Sequence, residues 1–476
     1  METQTLSQPL ANTFTPTFQF SNMTSLVELQ RKFFATGKTK DVEFRLQALS
    51  KLLAILKGKE AEITEALRLD LGKPNLEAYS TEIAYVLSDL KHVIKKLRKW
   101  SRPKKMGSPL VVQPARSAIY SEPYGNVLII APWNYPFQLT ISPLIGALAA
   151  GNTAILKPSE VTPHTQELLV RLISENFPAE YVACVGGGVD ESQALLDEKF
   201  NFIFFTGSTR VGKIVMEKAA KHLTPVCLEL GGKSPCIVDK DVDIKIATRR
   251  IAWGKFMNAG QTCVAPDYLL VDKSIYDSFV TELGKTMTEF FGNDPKQSDS
   301  YARIVNSSHV DRLSRLIDQK KVVHGGKFSR DDRFIEPTLI SNVEWHDEIM
   351  EDEIFGPLLP IIPYENLEDT LAKIQSRPKP LALYLFSKNK EIQRKVLSNT
   401  SFGGACVNDC IVHLANPELP FGGVGDSGIG AYHGQHSYDL FSHKKSVLIK
   451  PFWGDATMRY APYTSLKMKL IRFFMG

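Results

Sequence analysis

The stretch NVLIIAPWNYPFQLTISPLIGALAAGNTAILKPSE, residues 126–160, decides the fold. Its first segment, 126–134, is an apolar strand that runs into a loop. Residues 138–150 carry a helix pattern, and 152–160 give a second strand and loop. Pro132, Pro136, Pro143 and Gly146 break this longest apolar region, which therefore reads as buried strand–loop–helix and not as a membrane span. Downstream, polar residues from Thr162 open another helix, and YVACVGGG (181–188) and FNFIFFTGS (200–208) are two further strands, each ending in glycine. Strands and helices alternating at this spacing predict a parallel, doubly wound α/β sheet. Ligands bind such sheets at the carboxyl ends of the strands. Those ends carry Asn134, Lys157, Gly188 and Gly207. In FTGSTRVG (205–212), Gly207, Ser208 and Thr209 open a helix and offer free N–H groups to a pyrophosphate. The segment is not a GxGxxG fingerprint, and a glycine there also serves close packing.

Upstream, residues 25–100 predict helices. Ser25 and Glu28 form a capping-box pattern, and Leu46, Leu49, Leu53 and Leu56 recur at helical spacing. Gly72-Lys73-Pro74 breaks the run, and a further helix from Ser80 ends near Trp100. Its basic cluster, from Lys95 to Lys105, reads as a solvated face. Residues 1–22 hold no Lys or Arg and are rich in Thr, Gln, Asn and Pro, which predicts a loose tail and no signal peptide.

Downstream of the first sheet, PVCLELGGKSPCIVD (225–239) places Glu229 within an apolar strand before Gly231-Gly232. A carboxylate there is either salt-bridged or held as a base with a raised pKa. A second α/β unit follows over 234–430. It contains NAGQTCVAP (258–266), where Gly260 and Pro266 let the chain present the Cys263 thiol with its own N–H. A thiolate attacks carbonyls, and the adjacent N–H stabilises the oxyanion. Taken alone, the stretch reads equally as a buried structural cysteine.

At 476 residues the chain is too long for one core. Its 43% hydrophobic and 23% charged residues are ordinary for a soluble protein, and a net charge of +5 does not argue for nucleic-acid binding. Six cysteines without a CxxC pair imply reduced thiols in a cytoplasmic compartment. Cys406, Cys410 and His413 read as unrelated core residues, and no metal site is expected. Residues 437–450 look like one strand able to pair with another chain's edge. LKMKLIRFF (466–474) is an amphipathic helix, poised between packing on the protein body and contact with a membrane surface.

Together these segments resemble the aldehyde dehydrogenase superfamily. The matches, in family order, are APWNYP with Asn134, LKPSE with Lys157 and Glu160, FTGST with Gly207 and Ser208, LELGGK with Glu229, GQTC with Cys263, EIFGP with Glu353 and Phe355, and PFGG at Phe421. The block from Val407 to His443 and the basic tail helix are most similar to the class 3 branch, which includes fatty aldehyde dehydrogenases. The resemblance implies a Rossmann-type NAD(P)-binding domain (23–233, with an arm segment at 107–125), a catalytic domain (234–430), an oligomerisation arm (431–460) and an amphipathic tail (461–476). It implies Cys263 as nucleophile, Glu229 as base and Asn134 as oxyanion donor. Lys157, Glu160, Gly207, Ser208, Glu353, Phe355 and Trp133 would hold the cofactor. Glu160 favours NAD over NADP, since a carboxylate accepts from a ribose 2′-hydroxyl and repels a 2′-phosphate. The expected assembly is a homodimer and the expected substrate a medium- to long-chain or other apolar aldehyde, including polyene aldehydes. The alternatives are a semialdehyde dehydrogenase of the same fold and a non-catalytic membrane-peripheral binding protein.

Overall fold

The computed structural model describes residues 23–475; the loose tail expected at 1–22 lies outside them. The opening stretch forms strand Asn126–Ile130, helix Gln138–Ala150 and strand Thr153–Lys157. These belong to a six-stranded sheet in the order Gly428–Ile429, Val226–Glu229, Phe202–Thr206, Asn126–Ile130, Thr153–Lys157, Val182–Cys184. All its pairs are parallel except the first, which is antiparallel. Alternate residues serve opposite faces. Val127, Ile129, Phe202 and Phe204 pack with the helices Val42–Gly58, Ala84–Trp100 and Gln138–Ala150. Leu128, Ile130, Ile203 and Phe205 pack with Met23–Ala35 and Thr209–Ala220. Helices therefore cover both faces, as a parallel sheet requires.

A seven-stranded sheet follows in the order Val322–His324, Thr338–Ile340, Leu358–Tyr364, Tyr268–Asp272, Pro235–Val238, Ala382–Phe386, Gly404–Val407. It is parallel apart from its first pair. The chain then returns to the first sheet. Gly428–Ile429, grouped by sequence with 234–430, pairs with Val226–Glu229 instead. A third, antiparallel sheet joins Lys104–Met106, Arg116–Pro123 and Ser442–Ile449 and stands largely exposed.

Two local expectations are corrected. Ser25 lies inside helix Met23–Ala35 and not at its cap. Residues 437–450 are not one strand: helix Gly434–Leu440 precedes strand Ser442–Ile449. That helix sits so close to Gln138–Ala150 that a Cβ on Gly146 would lie 2.7 Å from Ser437 Cβ, which explains the glycine inside the apolar helix. The tail forms the expected helix, Ser465–Met475. Its neighbour is the turn Thr457–Arg459, and Leu466, Met468, Phe473 and Met475 are exposed.

Candidate active site

Cys263 lies between helix Ile244–Phe256 and strand Tyr268–Asp272, after a turn of unusual geometry. Asn258, Ala259 and Gly260 all take positive φ, at 54°, 51° and 72°. Such a run costs free energy for the two non-glycine residues and persists only where its surroundings enforce it. Asn258 Nδ2 donates to the Asn134 carbonyl at 2.7 Å and to the Gln261 carbonyl at 3.1 Å. Gln261 Nε2 donates to the Asn258 and Arg303 carbonyls, and its Oε1 accepts from Val305 N–H at 2.9 Å. Gly260 is pressed against the chain after Phe355: a Cβ there would sit 2.3 Å from the Gly356 carbonyl oxygen. On the far side of Cys263, Tyr384 donates its hydroxyl to the Val264 carbonyl at 2.6 Å.

The Asn134 carboxamide is buried, and its Nδ2 donates to the Gln261 carbonyl at 3.1 Å. That bond uses one of the two N–H groups of the carboxamide. The backbone N–H groups of Cys263 and Val264 point at the sulfur. Burial pushes the thiol up to about 12, and the Glu353 and Glu229 carboxyls add to the effect. Glu229 ends strand Val226–Glu229 and is 2% exposed. Its Oε1 accepts from Cys227 Sγ at 3.7 Å, while Oε2 is buried without a partner among the described residues. Burial raises this carboxyl well above the usual carboxylate range, which disfavours its charged form.

Cys263 lines a cavity of about 210 Å³ whose other walls include Tyr85, Tyr135, Leu139, Trp253, Met257, Ile411, Leu414, Phe421, Tyr432 and His433. No Lys, Arg, Asp or Glu lines it. Tyr135 hydroxyl and Thr262 Oγ1 are hydrogen-bonded at 2.8 Å. Tyr85 hydroxyl lies 3.0 Å from His433 Nε2. His433 is pushed down to about 3 by burial and stacks on Phe421 with ring centroids 5.1 Å apart, so it serves as a neutral wall. His413 stands outside the lining, with Nδ1 3.2 Å from Cys406 Sγ. Sequence patterns did not single out Tyr85 or Trp253, because lone aromatics on helices look like core.

A second set of residues continues from Glu229 along the carboxyl edge of the first sheet. Gly207 N–H donates to the Glu229 carbonyl at 3.0 Å. A Cβ on Gly207 would strike the Phe205 ring at 2.6 Å, and Ser208 caps helix Thr209–Ala220 by accepting from Val211 N–H. Lys157 is buried; its ammonium donates to the Pro158 and Gly187 carbonyls at 2.9 Å and lies 3.8 Å from the exposed Glu160 carboxylate. On the Cys263 side, Glu353 lies against Gly231, where a Cβ would come within 2.0 Å of Oε2, and accepts from Gly232 N–H. Burial, then Asp267, pushes the Glu353 carboxyl up to about 8. Trp133 meets the Phe355 ring edge-on at 5.2 Å, with Phe355 at φ 51°. Lys255, unremarked in the sequence, is fully buried behind this region, its Nζ unpartnered among the described residues and lowered to about 8 by burial. Glycines that tolerate no side chain, a helix N-terminus and carboxylates at either end fit an extended dinucleotide. Among the described residues no cluster of His, Cys, Asp and Glu suits a metal ion.

The profile of the aldehyde dehydrogenase family matches residues 16–447. The chain is 50% identical to 4,4′-diaponeurosporen-aldehyde dehydrogenase of Staphylococcus aureus, over 93% of this chain and 97% of that protein. It is 48% identical to the dimeric NADP-preferring aldehyde dehydrogenase of Rattus norvegicus, over 93% and 98% of the two chains. Among solved structures, a substrate-bound state of Staphylococcus aureus AldH superposes with a TM-score of 0.93 at 49% identity, covering 95% of this chain and 99% of that one.

Proposed function

The chain belongs to the aldehyde dehydrogenase family, oxidising aldehydes with a nicotinamide dinucleotide, and from that premise we propose how its residues divide the work. Cys263 is the nucleophile. Its thiolate, formed by loss of the S–H proton to solvent, adds to the aldehyde carbon, and the oxyanion accepts from the second Asn134 N–H and from the Cys263 backbone N–H. A dinucleotide held by the residues named below would supply the hydride acceptor and a positive charge. Loss of hydride from the carbon leaves an acyl thioester on Cys263. Glu229, as carboxylate, takes a proton from water; the hydroxide attacks the thioester carbon, the sulfur leaves, and a carboxylic acid departs. Burial makes Glu229 a stronger base than an exposed carboxylate once its proton has gone. Lys157 and Glu160 would hold the adenosine ribose, Gly207 and Ser208 the pyrophosphate, and Glu353, Phe355 and Trp133 the nicotinamide half.

The observation that carries this division is the Asn134–Gln261 hydrogen bond, which ties the proposed donor to the chain two residues before the thiol that lines an apolar cavity. The experiment is aldehyde-dependent formation of reduced dinucleotide with identification of the product, using Cys263→Ser as control. Turnover surviving in Cys263→Ser, or a product other than the carboxylic acid, refutes the assignment.

The substrate is an apolar aldehyde, of medium or long chain or a polyene. The cavity lining supports this, and so does the relative that acts on a diaponeurosporen-aldehyde. A semialdehyde would need a cation for its second charge, and the lining offers none. NAD is preferred and NADP accepted, because Glu160 is exposed beside Lys157 where a 2′-phosphate would meet it. Strand Ser442–Ile449 has its outer edge free among the described residues, with Leu448 and Ile449 exposed, which suits a homodimer interface. No described helix is long and apolar enough to cross a membrane. The exposed apolar residues and the lysines of Ser465–Met475 suit contact with a membrane surface.

A further inference from the structure

Next to the proposed oxyanion donor lies a group of buried charges that this mechanism does not use. Lys73 and Glu82 form an ion pair with both side chains at 0% exposure. Removing two charges from water is costly, and such a pair is weak as a source of stability, so its surroundings bear examination. The Lys73 ammonium also donates to the Asn134 carbonyl at 3.2 Å and lies 3.9 Å above the Tyr135 ring. The second Glu82 oxygen accepts from the N–H groups of Phe137 and Gln138 at 3.0 and 3.1 Å, where helix Gln138–Ala150 begins. The loop that carries Asn134 is thus gripped at residue 134 and at residues 137–138 by the two members of one ion pair. On the same segment, Glu77 Oε1 accepts from Asn258 N–H at 2.8 Å, at the first left-handed residue of the Cys263 turn. Asn258 in turn donates to the same Asn134 carbonyl as Lys73. Residues 73–82 therefore hold both loops of the site, the one bearing the oxyanion donor and the one bearing the thiol.

We propose that Lys73 and Glu82, with Glu77, are positioning residues that set the spacing between the Asn134 carboxamide and Cys263. The proposal rests on the assignment of those two residues above. Its logic is geometric: a donor displaced by about 1 Å from a developing oxyanion loses roughly 10²-fold in rate. Loosening the Asn134 carbonyl moves the carboxamide on the same residue, and acylation with its hydride loss becomes slow. The cavity is touched only behind its wall, where the Lys73 ammonium lies over the Tyr135 ring.

The test compares four full-length proteins: wild type, Lys73→Met, Lys73→Arg, and the double variant Lys73→Met/Glu82→Gln. The double variant removes both charges while keeping size and one acceptor, so no unpaired buried charge is left to unfold the protein. Thermal unfolding is measured alongside single-turnover formation of reduced dinucleotide and the primary isotope effect with a C1-deuterated aldehyde. In the folded double variant the single-turnover rate should fall roughly 10- to 100-fold. The isotope effect on kcat should rise, with KM changed less than threefold. Lys73→Arg, which keeps the charge, should recover most of the rate. A folded double variant with a wild-type single-turnover rate and isotope effect overturns the proposal, as does a loss confined to KM. If wild type itself turns over without Cys263, the mechanism fails first, and that outcome is visible before any variant is compared.

Discussion

The cavity beside Cys263 makes a quantitative statement about chain length. It encloses about 210 Å³ and no charged side chain lines it. A water-sized group takes roughly 30 Å³, so the space admits about seven carbon-sized groups. Each methylene moved from water into such walls contributes about 0.8 kcal/mol, which is about fourfold in kcat/KM. From acetaldehyde to octanal, roughly six methylenes therefore raise kcat/KM by about 10³- to 10⁴-fold. Beyond that length the slope should flatten, because added carbons reach the rim, where Val412 and Ala415 are exposed. The perturbation is a homologous series of straight-chain aldehydes at saturating dinucleotide, repeated on Ala415→Trp, which narrows the rim without touching the buried wall. Initial rates of dinucleotide reduction give the profile. In the variant the break should move to shorter chains, while the early slope stays. A profile flat from two carbons upward, or an optimum at the shortest aldehydes, refutes the assignment of this cavity to the substrate.

Glu229→Gln should keep the first burst of reduced dinucleotide and lose steady turnover by roughly 10²- to 10⁴-fold, since only thioester hydrolysis needs the base. It should also be more stable than wild type at pH 8 and equal to it at pH 4. The Glu229 carboxyl is raised in the fold, so wild type loses stability as pH rises from the ordinary carboxylate range toward the folded value, and glutamine has no such loss. Urea titrations at the two pH values check the sign. Iodoacetamide labelling of Cys263 without dinucleotide should accelerate about tenfold per pH unit between pH 7 and 10, because the thiol lies near 12; a plateau by pH 8 contradicts this. NAD should exceed NADP in kcat/KM, and Glu160→Gln should narrow the ratio; a clear NADP preference in wild type defeats the Glu160 argument. Removing residues 465–476 should abolish co-sedimentation with anionic vesicles and leave the sedimenting species a dimer; unchanged vesicle binding, or a monomer with or without the tail, removes the corresponding surface from the argument.

The sheets were legible because buried parallel strands are written as apolar runs: 127–130 and 202–205 cannot be mistaken for exposed structure. The candidate site was legible where one short segment contains its own chemistry, as Cys263 does between Gly260 and Pro266. It was illegible where chemistry depends on residues far apart in the chain. Lys73 looked only like part of a helix-breaking Gly-Lys-Pro, yet its ammonium reaches Asn134, 61 residues away. Tyr85 sits on a helix face with ordinary periodicity, yet its hydroxyl meets His433 across 348 residues. Helix Gly434–Leu440 was missed because its short polar sequence has no apolar stripe to betray it; its place is set by tertiary contact with Gly146. The tail helix was legible but its use stayed open, since an amphipathic stripe records that a face is apolar and not what covers it.

Burial imposes one further constraint on the site. The Cys263 thiol and the Glu229 and Glu353 carboxyls are all raised, and each carboxylate disfavours the thiolate. The three groups therefore resist ionising together. Such a site is a poor nucleophile and a poor base at the same time, which also spares the sulfur from oxidation. A positive charge brought close to the sulfur reverses the balance for every one of these groups, because it favours each charged form. In the proposed division of roles, reactivity would be tied to binding of the dinucleotide, and the same low dielectric that disfavours ionisation would strengthen the Asn134 and backbone donors toward an oxyanion.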